Sequence, residues 1–341
     1  MLAGPGPGGR VLAGVAAGVS AAGAARLAYR FLTRFPPGGQ KAWARVNHRG
    51  EPVTLLEGPA AATGAVLVAL ALSGLSRSRF PAPCRVERTV ASRSFLALAA
   101  AGGGAVAFGA LDDLKGSGKR RGLRGHLGAL AHGEVTTGAV KLAGIGATGV
   151  AGALLLRRPG ESVLDGAVNA GLIAGAANLL NLFDLRPGRA IKVAALSAGM
   201  IGAASAAAGG GGRGIAAVAV PAGAALAVLP EDLGERAMLG DAGANALGAM
   251  LGASAARLPR PARIVLLAGM AGLTAASEKI SFTKVIERTP ALRWLDMLGR
   301  RPVNPVPSAV IPAQRRDTMS FADTGTTARS AENTDITPPE E

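Results

Sequence analysis

Two adjacent acids, Asp112 and Asp113, end an apolar run and open onto a glycine-rich loop carrying Lys115, Lys119, Arg120, Arg121 and Arg124. Carboxylate oxygens are natural ligands of Mg²⁺, and substrate phosphates usually complete its shell. Lysine and arginine neutralise the remaining phosphate charge. Acids that can hold a divalent cation, beside a cluster of cations, therefore suit a phosphate-bearing substrate. Further on, AANLLNLFDLRPGRAIK spaces Asn178, Asn181 and Asp184 three residues apart, roughly on one helical face. Asp241 follows in GDAG, just before another apolar run. Each group taken singly has a plainer explanation. Asp241 can N-cap the run it precedes, Asp184 after Asn181 suits turn chemistry, and the basic loop suits a solvated helix end.

The elements that must position these groups are apolar. The chain has 341 residues, 49% of them hydrophobic but only 3% aromatic, with 50 glycines. Ala, Leu, Val and Gly fill run after run, most of them long enough to cross a hydrocarbon core of about 30 Å. The short alternating segments of a transmembrane barrel are absent. The expected fold is an all-α polytopic integral membrane protein with about nine to ten transmembrane helices. The net charge of +15 does not argue for nucleic acid, because the cations sit in short loops between apolar runs, where they set topology and meet anionic lipid. Cys84 is alone, so no intramolecular disulfide or cysteine metal set exists, and His48, His126 and His132 lack zinc spacing.

Nine apolar runs can be counted, near 11–29, 59–75, 94–111, 134–156, 163–182, 190–208, 214–229, 242–256 and 264–276. Lys141 lies inside the fourth and should face the protein interior or reach toward an end. The polar loop with Asn47, His48 and Arg49 follows the first run, Asp112 and Asp113 the third, Asp184 the fifth, and Asp241 the seventh. Every polar constellation follows an odd run, so all are expected on one face. Loop charge places that face in the cytoplasm, although the loops after the second and eighth runs are also basic. Residues 1–277 are expected to form the membrane domain and 278–301 a cytoplasmic amphipathic segment with Trp294 at the interface. The Pro-, Ser- and Thr-rich stretch 302–341 is expected to be a disordered tail.

Four acids, two asparagines and a basic loop on one inner face suit transfer of a phosphate-linked group between a soluble nucleotide and a lipid carrier. A Mg²⁺ held by one or two aspartates can bridge a diphosphate, and phosphoryl transfer depends chiefly on positioning and neutralisation.

The motifs resemble those of the polyprenyl-phosphate N-acetylhexosamine-1-phosphate transferase superfamily, over roughly residues 40–250. FGALDDLKG carries its paired aspartates, RGLRGHL resembles the segment after them, NLLNLFD is similar to its Asn-x-x-Asn-x-x-Asp motif, GDAGAN matches its Gly-Asp-x-Gly motif, and NHRGEPV resembles the early substrate loop. The resemblance implies Mg²⁺-dependent transfer of a sugar-1-phosphate from a UDP-sugar to polyprenyl phosphate, in cell-envelope polysaccharide or peptidoglycan synthesis. It implies catalytic roles for Asp112, Asp113 and Asp184, and metal ligation by Asp241 and Asp184. It implies substrate contacts from Asn47, Arg49, Lys115, Arg121, Arg124, Asn178 and Asn181. The implied setting is the plasma membrane, and the Ala/Gly-rich helices leave room for a homodimer. Two departures stand out. Asp184 is followed by LRPG, so Pro187 stands where the family has a second aspartate. No histidine follows His132, and Lys279, Lys284 and Arg288 are the candidate replacements for the family's late histidines. A catalytically inactive homologue that binds polyprenyl phosphate is therefore the alternative. A transporter, supported by Lys141, is a third reading.

Overall fold

The structure is a computed structural model and describes residues 7–78, 85–115, 136–209 and 211–302. Its long elements are α1 (Pro7–Arg34), α3 (Glu57–Ser78), α4 (Arg85–Lys115), α5 (Thr137–Leu156), α6 (Val163–Phe183), α7 (Arg189–Ala207), α8 (Gly211–Leu233), α9 (Gly240–Ala255) and α10 (Arg260–Ser277). A short helix α2 (Gln40–Trp43) and a hairpin of β1 (Ala44–Val46) and β2 (Pro52–Thr54) lie between α1 and α3, and two short helices, α11 (Phe282–Arg288) and α12 (Pro290–Met297), follow α10. The chain is an all-α polytopic membrane protein. The expected tail beyond 302 lies outside the described residues.

Where they are described, all nine apolar runs form helices, but they do not qualify as spans equally. Seven, α1 and α3 to α8, are long and apolar enough to cross a membrane. The last run, α10, meets that standard only together with α11, from which it is bent by 95°. The eighth, α9, has 16 residues, which makes it about 24 Å long and shorter than a hydrocarbon core of about 30 Å. The reason is its position. Every residue of α9 from Ala242 to Ala255 is buried, packed among α3, α4, α6 and α8. A helix surrounded by protein need not match the bilayer. The outer helices show the complementary pattern, and on α1 the side chains of Val11, Leu12, Val15 and Val19 are more than half exposed, as a lipid-facing surface requires.

Small residues let this bundle close. A Cβ on Gly58 would lie 1.9 Å from the Leu239 carbonyl oxygen and 2.6 Å from the Gly243 nitrogen, so α3 meets α9 backbone to backbone. Buried hydroxyls add hydrogen bonds between helices. Ser254 donates to the Ala217 carbonyl at 3.2 Å, joining α9 to α8, and Ser73 donates to the Ser92 carbonyl at 3.1 Å, joining α3 to α4.

The hairpin brings the early polar loop to the same end. Its strands pair antiparallel, Ala44 opposite Thr54 and Val46 opposite Pro52. The Asn47 side chain closes the turn by accepting from the amides of Arg49 (2.8 Å) and Glu51 (2.9 Å). Gly50, at φ 82°, takes the left-handed position that the turn needs. Thr54 then bridges to Ala237 in the connection between α8 and α9.

Candidate active site

The last turn of α4 presents Asp112 and Asp113 in different directions, because successive helical residues point about 100° apart. Asp112 and Asp241 both reach the ammonium of Lys141, at 2.9 and 2.8 Å. Lys141 projects inward from the second turn of α5, the interior placement expected of a lysine inside a span. Asp113 turns instead to α9. Its two carboxylate oxygens accept the backbone amides of Asp241 (3.0 Å) and Ala242 (2.8 Å). Helix N-termini carry unsatisfied amides and a positive dipole end, and the residue at the N-cap position of α9, Leu239, makes no side-chain cap bond. Asp113 caps α9 from another helix. Arg45 of β1 donates to the Asp113 carbonyl, tying the hairpin to the same corner.

Beside this corner lies a small cavity of about 30 Å³, lined among others by Asn47, His48, Asp184, Pro187, Asp232 and Glu235. Asp184 ends α6 as its C-cap. Burial and then the negative charge of Asp232 push its carboxyl well above the usual carboxylate range, against a stabilising hydrogen bond from the Gly240 amide. Glu57, at the start of α3, is fully buried, and neither of its carboxylate oxygens has a hydrogen-bond partner among the described residues. One oxygen of Asp232 is in the same condition. Buried carboxylates without donors call for a proton or a cation.

The predicted site residues fall into groups. Asp112, Asp113, Asp184 and Asp241 meet at one end of the bundle, joined through Lys141, the α9 cap and the Gly240 amide. Asn47 and Arg49 also reach this end, and both engage Glu235: Asn47 donates to it at 3.0 Å and the Arg49 guanidinium lies 2.9 Å from it. Glu235 adopts a positive φ of 55°, and its buried side chain staples the hairpin to the α8–α9 connection. Asn178 and Asn181 are half-buried in the last turns of α6. Lys115 is exposed at the end of α4. Arg121 and Arg124, with Lys119 and Arg120, lie outside the described residues. The candidate histidine replacements, Lys279, Lys284 and Arg288, are exposed at the end of α10 and on α11.

Pro187 has a structural setting. It is buried in the turn between α6 and α7, next to Gly188 at φ 70°. The turn delivers Arg189, whose buried guanidinium forms a two-pronged pair with Asp296 of α12, at 2.7 and 3.0 Å, and donates to Thr283 at 2.9 Å. Lys192 caps the α12 carbonyls of Leu295 and Asp296, and Arg300 pairs with Asp296 at 2.8 Å. Phe183 stacks on Phe282, with ring centres 5.2 Å apart. The LRPGR segment thus latches the C-terminal helices to the membrane domain.

Among the described residues no group of three or more His, Cys, Asp or Glu could hold a metal ion. Asp112 and Asp241, from separate helices, converge on the Lys141 ammonium, so a hard cation in its place would have two protein carboxylates. Glu57, Asp232 and Glu235 belong to this end of the bundle and escaped the sequence reading. Glu57 stood within LLEGP at the start of an apolar run, and the other two within PEDLGERAMLGDAG, a segment recognised only as polar. Compared with models of protein families and with curated proteins, the chain matches none.

Proposed function

We propose that this chain transfers a sugar-1-phosphate from a UDP-sugar to polyprenyl phosphate at the cytoplasmic face of the plasma membrane, releasing UMP, in cell-envelope polysaccharide or peptidoglycan synthesis. The observation that carries the reading is the convergence of Asp112 and Asp241 on Lys141 at the end of the bundle that also holds Asp184 and the Asn47–Arg49 loop. In the reaction an oxygen of the lipid phosphate attacks the sugar-bound phosphorus, and the diphosphate bond to UMP breaks. Asp112 and Asp241 are the residues that would hold a Mg²⁺, which would supply neutralisation of the diphosphate charge. Lys141, already shared between two carboxylates, is placed to follow a phosphate oxygen. Asp113 orients the site by fixing the first turn of α9, and with it Asp241. Asp184 holds its proton more tightly than an ordinary carboxylate, which suits it to donate a hydrogen bond to a phosphate oxygen or to exchange a proton with it.

The test is a transfer assay. Purified protein in detergent receives undecaprenyl phosphate, Mg²⁺ and a panel of UDP-N-acetylhexosamines, including UDP-MurNAc-pentapeptide, and UMP release is followed with Asp241→Ala as control. Metal-dependent release that the variant loses supports the transferase and names its sugar.

A second reading rests on its own observation. Pro187 stands where the family has a second aspartate, and the turn it occupies delivers Arg189 to the latch with α12. This favours an inactive homologue that still binds polyprenyl phosphate. Retained lipid binding with no turnover on any donor selects it.

A further inference from the structure

The opposite end of the bundle carries a second polar site, made of arginines. The chain reaches this end at the start of α4, the end of α5 and the end of α9, each about one helix length from the acids. Among the described residues acids and bases there are unequal. Glu161 and Asp165 are taken by Arg260 and Arg263, with Arg263 at 3.2 Å and Arg260 at 3.3 Å from Asp165. Arg93, Arg157, Arg158 and Arg257 have no carboxylate within ion-pair distance among the described residues. These four line one cavity of about 300 Å³ whose remaining walls include Val90 and Leu155, at the lower end of the range for small-ligand pockets, about 300–1,000 Å³.

Arg257 is more than a surface charge: half-buried, it donates to the buried Ser94 hydroxyl and accepts on its own carbonyl from Arg158 at 3.3 Å. Burial, followed by the charges of Arg158 and Arg213, pulls its guanidinium down to about 10, with Glu161 opposing the shift. Helix C-termini favour cations and account for Arg157, Arg158 and Arg257 at the ends of α5 and α9. They do not account for Arg93, which lies in the N-terminal part of α4, nor for the cavity between the four.

We propose that this cavity binds the anionic phosphate headgroup of a membrane lipid, on the face of the membrane away from the candidate active site. Guanidinium groups recognise phosphate oxygens through paired hydrogen bonds, and the apolar walls accept the start of an acyl chain. The position at helix ends is the depth at which a headgroup resides.

The test uses the full chain, purified in detergent and stripped of co-purified lipid. It is titrated with phosphatidylglycerol or with phosphatidylcholine of the same acyl chains, and bound lipid is counted by native mass spectrometry. Phosphatidylglycerol should bind more tightly, and Arg257→Gln and Arg93→Gln should each weaken it by about tenfold, the scale of a lost charge-assisted hydrogen bond. Arg93 is exposed, so its variant keeps the fold if the half-buried Arg257 variant does not, and helical circular dichroism checks both. Equal binding of the two lipids, or a preference that survives Arg93→Gln in folded protein, overturns the proposal. So does inorganic phosphate that stabilises the protein against heat as well as phosphatidylglycerol does, since that assigns the cavity to a free anion. None of these readouts involves sugar transfer, so failure here leaves the proposed activity standing, and the reverse.

Discussion

Asp113 accepts the backbone amides of Asp241 and Ala242, at 3.0 and 2.8 Å, while its neighbour Asp112 shares the Lys141 ammonium with the Asp241 side chain. Two acids adjacent in sequence therefore address the same residue in different ways. One fixes its backbone and the other meets its carboxylate across a cation.

This division predicts separable phenotypes. Asp113→Ala leaves two amides at the α9 terminus without their partner and should destabilise the protein by about 1–3 kcal/mol. Asp112→Asn keeps the size of the side chain and should leave the unfolding temperature nearly unchanged while reducing UMP release by a factor of about 100 or more, as losing a group that stabilises transferring phosphate does. Thermal unfolding in detergent beside the transfer assay separates them. Equal loss of stability in both variants would refute the division.

Lys141 supplies the charge balance between Asp112 and Asp241. Lys141→Met would leave two partly buried carboxylates facing each other, a repulsion that a divalent cation relieves. The variant should melt at a lower temperature than wild type without added metal and should recover most of the difference with Mg²⁺. Wild type should respond less, since its own ammonium already serves both acids. A variant indifferent to Mg²⁺ would show that the two carboxylates do not form a cation site.

The helical plan was legible in the sequence because each apolar run is continuous and Ala/Leu-rich, and the parity of the polar groups along the runs placed the four aspartates at one end. What composition did not carry was the environment of each run. The run around Ala242–Ala255 reads like any other span, yet α9 is enclosed by protein, and only its shortness hinted at this. The division of labour between Asp112 and Asp113 was equally hidden, because it depends on which side of α4 meets α9. Glu57 was passed over because one acid at the head of an apolar run looks like a helix cap until burial shows it without partners. Arg189 and Asp296 lie too far apart in sequence to suggest a pair.

Close approach of α3 and α9 gives a packing prediction. Gly58→Ala places a methyl group 1.9 Å from the Leu239 carbonyl oxygen and 2.6 Å from the Gly243 nitrogen, both backbone atoms that cannot swing aside. Overpacking of this kind costs about 1–3 kcal/mol or more, and it should also disturb Asp241, two residues from Gly243. Gly103→Ala on α4 meets nothing within 4 Å and should be neutral or slightly stabilising, in line with the helix preference of alanine. Unfolding temperatures of the two variants, measured side by side, test the assignment. Similar values would show that α3 and α9 are not in backbone contact.

The latch between α7 and α12 predicts an acid-sensitive C-terminal segment. Burial raises the Asp296 carboxyl, but hydrogen bonds from Arg189 and the charges of Arg189, Arg300 and Lys192 outweigh it and hold the group below its ordinary value. A carboxyl depressed in the folded state stabilises it above the unfolded value of 3.8, and that contribution disappears as pH falls through the lower, folded value. Docking of α11 and α12 should therefore be intact at neutral pH and loosen only below the ordinary carboxylate range. Asp296→Asn should loosen it at neutral pH, because the two-pronged pair with Arg189 is lost while the guanidinium stays buried. Fluorescence of Trp294, exposed on α12, and hydrogen exchange of residues 282–297 read the docking directly. The variant should exchange this segment faster at neutral pH, with α3 to α9 unchanged. Exchange as slow as wild type would mean that the stacked rings of Phe183 and Phe282, not the ion pair, hold the segment in place.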